Sequence, residues 1–165
     1  MSDNILPVLL IAFCLGGLTG LRTFTPITVL SWTLHLHKMS VLGSSLHFLH
    51  TTPAVIVLTM FAIGELVADK LPRTPSRLKP PGLIGRTIFG FMCGALSGQA
   101  WGANWELMAG SGVVGAALGA VLGYEVRKGW RHTLHTPDLV VALIEDLVAV
   151  GGSILVVSRA IYLSF

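Results

Sequence analysis

Arg22, Glu65, Glu145 and Asp146 are charged residues set inside or at the end of long apolar runs. Charge in hydrocarbon is costly, and it marks a cavity, a partner or an ion path. Glu65 stands twelve residues after Pro53, about 18 Å along a helix, and Asp146 nine after Pro137, about 13 Å. Across a hydrocarbon core of about 30 Å both fall near mid-depth. Hydroxyls from Thr19, Thr23, Thr25 and Ser97 lie in neighbouring runs. Two acids, one arginine and these hydroxyls suit binding of a cation or passage of a proton. The same groups suit a buried ion pair, with Arg22 satisfying one or both acids. Glu145 and Asp146 differ by about 100° around a helix, so they must point to different neighbours.

A second set runs from Glu65 through Asp69, Lys70, Arg73 and Arg77 to Arg86. Glu65 and Asp69 are four apart, hence on one helix face. Pro72, Pro75, Pro80 and Pro81 predict a stiff, extended loop, with Arg86 opening the next helix. Capture of a phosphate headgroup is one use for these cations; a positive-inside flank contacting anionic lipid is the other. His47 with His50, and His132 with His135, are three apart, but no third ligand is near and no metal is named by the pattern. No cofactor motif, Cys-x-x-Cys pair or phosphate loop occurs. Cys14 and Cys93 read as small buried hydrophobes.

The elements that must carry these residues are set by composition. Of 165 residues 53% are hydrophobic and 12% charged, too few charges for a surface wetted on all sides. The basic residues lie between apolar runs rather than along an aromatic-interleaved stripe, which argues against nucleic acid. Four runs are long enough to span a bilayer: Pro53–Leu71, Leu83–Ala103, Met108–Val126 and Leu139–Leu163. A fifth, Ile5–Leu21, is followed by a break at Pro26. Its flank has no Lys or Arg and no small-residue cleavage site, so it is expected to stay in the mature protein. Residues 26–50 read as one broken or re-entrant segment. The fold expected is therefore all-α: a polytopic transmembrane helix bundle of five helices plus that segment, in a single domain over 1–165.

Lys and Arg set the orientation. The Lys70–Arg86 and Arg127–Asp138 connections hold eight of the eleven, and the positive-inside rule puts both in the cytoplasm. Trp32, Trp101 and Trp105 then fall at the outer interface. Phe13–Gly20 resembles Phe91–Gly98, and Ile63–Ala68 resembles Ile144–Ala149, in the same order and at nearly the same offset. This predicts a duplication, with halves 5–71 and 85–163 of three segments each. Odd halves must lie in opposite orientations, the inverted plan of many transporters. Glycines recur every fourth residue at 16 and 20, at 90, 94, 98 and 102, and at 115, 119 and 123. Such glycine-zipper stripes let helix backbones touch, within the chain or across a homo-oligomer contact.

Three stretches, Gly17–Pro26, Gly64–Pro75 and Gly123–Arg127, resemble a family of small bacterial inner-membrane proteins known as Domain of Unknown Function 4126. The resemblance implies a membrane protein and marks the segments around Arg22 and Glu65–Arg77. It implies no activity and no substrate. The function expected is a small transporter or channel with a midplane site for a cation or proton-coupled solute. The alternatives are an enzyme or carrier acting on lipid phosphate at the inner leaflet, and a structural membrane subunit.

Overall fold

A computed structural model describes residues 5–37, 39, 46–69, 80–134 and 138–164. Among the described residues the chain is all-helical, with six α-helices, one short 3-10 helix and no strand. The helices are α1 (Ile5–Leu21), α2 (Thr25–Leu36), α3 (Thr52–Ala68), α4 (Pro80–Ala100), α5 (Trp105–Leu134) and α6 (Asp138–Ser164). The 3-10 turn, His47–His50, leads into α3.

Proline sets several of the starts. Pro26 lies in the first turn of α2, and Pro53 in that of α3, where a missing N–H costs nothing. Residues 26–50, expected to be broken or re-entrant, begin with a regular helix of 12 residues and end in the His47–His50 turn. Pro80 and Pro81 were expected in an extended loop, but they open α4. Arg86 consequently sits inside that helix, on its second turn, and is buried. Gly102 was placed on the α4 glycine face. It lies beyond the helix in the α4–α5 turn, with φ +66°, a conformation a side chain would strain.

Helices α1, α4 and α5 form the densest part of the molecule. Their contact faces are glycine and alanine, so backbone meets backbone. Gly90 and Gly94 of α4 face Gly112 and Ala109 of α5, and Gly98 faces Trp105. On its other side α5 presents Gly115 and Gly119 to Phe13 and Gly17 of α1, and Gly20 meets Ala116 and Ala120. A Cβ on Gly98 would come within 2.9 Å of the Trp105 Cα, and one on Gly90 within 2.7 Å of the Gly112 carbonyl. Numbering rises together along the α1–α5 contact and in opposite senses along α4–α5. Helix α1 therefore runs parallel to α5 and antiparallel to α4.

The other helices pack around this trio. Helix α6 lies on α1 and α2, with Gly152 against Leu18. Helix α3 lies mainly on α2 as an antiparallel hairpin. Thr28 Oγ1 donates to the Leu58 carbonyl at 3.1 Å, and Trp32 Nε1 to Thr59 Oγ1 at 2.9 Å. Leu15, Leu30, Leu34, Leu96 and Val157 fill the space between the layers.

The α1–α4–α5 seams are built of small residues, and many large apolar side chains point outward. Leu10, Met60, Leu118, Leu122, Leu147 and Leu155 are all exposed, Leu147 to 73%. Among the described residues two stretches, Trp105–Trp130 and Val140–Tyr162, are long and apolar enough to cross a membrane; α1 and α3 are apolar but shorter.

Candidate functional site

The chain breaks helix between Leu21 and Thr25, and the site forms around that break. Arg22 still donates its N–H to the Leu18 carbonyl at 2.9 Å, continuing the α1 ladder. Its side chain turns inward and is fully buried. One terminal guanidinium nitrogen, Nη1, pairs with Asp69 Oδ2; the other, Nη2, pairs with Asp146 Oδ1. The two carboxylates come from different helices, α3 and α6. Asp69 caps the C-terminus of α3 and Asp146 lies on the third turn of α6.

Glu65 takes a different role. Its carboxylate accepts the backbone N–H of Thr23 at 2.7 Å and that of Phe24 at 2.9 Å, one on each oxygen. These amides precede the first turn of α2, where N–H groups have no partner within the helix and the dipole favours negative charge. Glu65 thus acts as a cap supplied by a distant helix. Glu65 and Asp69, four apart on α3, therefore grip adjacent residues of the α1–α2 connection.

Phe24 roofs this cluster. Its ring stacks on Phe61 at 5.1 Å and meets Phe89 edge-on at 4.7 Å. Arg86 lies one turn before Phe89 on α4, which brings its stem to the same level of the bundle. Two buried polar atoms, Arg22 Nε and Thr25 Oγ1, have no hydrogen-bond partner among the described residues. Burying such groups without partners costs about 1–3 kcal/mol each.

Of the residues singled out by sequence, Arg22, Thr23, Glu65, Asp69 and Asp146 come together. Thr25 is buried in the first turn of α2, next to them in the chain. Glu145 does not join: it turns to Arg127 of α5 at 3.6 Å. Thr19 bonds its own helix at the Leu15 carbonyl, with Cys93 Sγ 3.7 Å away, and Ser97 likewise bonds the Cys93 carbonyl. Lys70, Arg73 and Arg77 lie outside the described residues. The cluster sits toward the end of the bundle where α1 and α3 stop, since Glu65 is within the last turn of α3. Sequence reasoning treated Arg127 as a flank charge only.

Among the described residues, one fully buried guanidinium and three carboxylates thus meet around the break. The fold and site define a small all-helical protein with an arginine–carboxylate cluster at a helix break. The chain belongs to the family described as Domain of unknown function (DUF4126), which it matches over residues 9–162. No curated protein and no solved structure matches it.

Proposed function

We propose that this chain is a small polytopic protein of the bacterial inner membrane. In this reading it is a transporter or channel in which Arg22, Asp69, Asp146 and Glu65 bind a cation or relay a proton. The observation that carries the reading is the sharing of one buried arginine by Asp69 and Asp146. Carboxylates gathered on a buried guanidinium inside a helix bundle are groups by which a membrane protein can hold a cation or pass a proton.

The outward-facing Leu, Met and Phe side chains of α1, α3, α5 and α6 support immersion in lipid. The opposite running of α1 and α4, whose glycine motifs match, supports inverted halves. Lys70–Arg86 and Arg127–Asp138 would flank the cytoplasmic end, the end that holds the Arg22 cluster.

Purified protein in liposomes carrying a pH-sensitive or cation-sensitive dye tests the proposal. With an imposed potential, wild type should move protons or monovalent cations faster than protein-free vesicles. Asp146→Asn and Asp69→Asn should each slow that flux about tenfold or more, one unit of log rate being about 1.4 kcal/mol. Flux equal to empty vesicles, or equal in wild type and both variants, would refute it.

A further inference from the structure

The α2–α3 hairpin is held at two ends. At one end Glu65 grips Thr23 and Phe24; at the other, one length of α2 away, three histidines meet. His35 Nδ1, near the end of α2, lies 2.8 Å from the His50 carbonyl oxygen. The rings of His47 and His50 meet edge-on with centroids 4.5 Å apart. Trp32 stands edge-on to His35 at 6.0 Å, and Leu49 between the two histidines is buried in the main core.

We propose that His35, His47 and His50 form a proton-operated clasp, which holds the 3-10 turn and the start of α3 on α2 when neutral and releases them on acidification. The inference stands apart from the transport reading, since none of these residues touches the Arg22 cluster.

The packing of His47 on His50 asks for neutral rings there. His35 Nδ1 donates to the His50 carbonyl in either charge state, so release on acidification falls to His47 and His50. When neutral, these two pack edge to face as aromatics. Protonating both would set two like charges at about that spacing, against only partial solvent screening. His50 Nδ1 is enclosed with no hydrogen-bond partner among the described residues, so a charge there finds no acceptor. Burial, then the charges of His47 and His35, hold the His50 pKa below the usual histidine value near 6.5.

The folded state therefore binds fewer protons than the unfolded one as pH falls through that value. Stability contributed by the clasp is full above it and is lost below. Among the described residues, neighbouring elements bring few charged groups toward this end. Helix α2 is followed by His37, Lys38 lies outside the described residues, and α3 carries no charge from Thr52 to Gly64. Helix α6 brings exposed Arg159 and Tyr162 toward this end, α4 brings Gln99 and Trp101, and α5 brings exposed Glu106.

Trp32 reports on the clasp in a full-length Trp101→Phe, Trp105→Phe, Trp130→Phe background. Its fluorescence in detergent should change in one step between pH 7.5 and 5, with a midpoint below 6.5. His50→Gln should remove the step. His47→Gln should move the midpoint upward, because a repelling charge is gone. A step that survives His50→Gln, or a midpoint that His47→Gln leaves in place, overturns the clasp. Should the variants not fold, carbon-13 labelling of histidine in wild type decides it: a His50 ring titrating at or above 6.5 overturns the proposal, and one titrating below supports it.

Discussion

Glu145 and Asp146 are neighbours on α6 and serve different arginines, Asp146 reaching Arg22 and Glu145 reaching Arg127 at 3.6 Å. Helix α6 is thereby tied to the α1–α2 connection and to α5 from a single point. The two ties are unequal, because Arg22 is wholly buried whereas the Arg127 side chain is partly exposed.

Arg22→Ala should cost about 3–5 kcal/mol, since it takes a fully buried guanidinium away from two carboxylates. Glu145→Gln should cost less, about 1 kcal/mol, because the buried Glu145 meets a partly exposed arginine at a long 3.6 Å. Asp146→Asn should fall between them, because the amide oxygen still accepts from Arg22. Thermal unfolding in detergent orders the three. A loss for Glu145→Gln as large as for Arg22→Ala would remove the distinction.

Glu65 predicts a different hierarchy. Glutamine keeps one acceptor oxygen for Thr23 or Phe24 but turns an NH2 toward the other amide, a loss of about 1–2 kcal/mol. Alanine leaves both amides bare and should lose more, with exchange of the Thr23 and Phe24 amides speeding first. If Glu65→Ala unfolds no more easily than Glu65→Gln, the cap contributes nothing to stability.

The glycine seams supply their own controls. Gly94→Leu and Gly119→Leu would drive side chains into the backbones of Met108 and Gly17, and each should lower stability by about 3 kcal/mol or more. A Cβ on Gly151 meets nothing within 4 Å, so Gly151→Ala should be neutral or gain about 0.5–1 kcal/mol from helix propensity. Unfolding temperatures that fail to separate these variants would contradict the packing described.

Orientation is open to a labelling measurement. In a variant lacking exposed Cys14 and buried Cys93, a cysteine at Ser76 should resist an impermeant thiol reagent in intact cells. One at Asn104, in the α4–α5 turn, should label quickly. The reverse pattern would turn the molecule over.

Much of the helical order was legible in the sequence because it rests on local rules. Pro26 fixed the break after Arg22, and the four-residue glycine spacing named Gly16, Gly20, Gly90, Gly94 and Gly98 as close-approach positions. The divergence of Glu145 from Asp146 followed from the helical angle alone. What escaped depends on contacts between distant segments. Backbone N–H groups are the same at every residue, so nothing marked Thr23 and Phe24 as the partners of Glu65. Asp69 was placed on one helix face with Glu65, but nothing named Arg22 as its partner, because that tie exists only once α3 lies beside the α1–α2 connection. Pro80 and Pro81 suit an extended loop and a first helical turn equally well, and the chain uses the second.

The parallel contact of α1 with α5 has a consequence for how the protein is made. The partners of Gly16 and Gly20 are Gly112, Ala116 and Ala120, about a hundred residues downstream. When α1 leaves the ribosome its most closely fitted surface has no counterpart, and it must wait through the synthesis of four further elements. An amino-terminal fragment ending before α4 should therefore be short-lived in cells. Co-expression of a fragment beginning at Pro80 should rescue it, the second piece bringing the backbone against which the first was shaped.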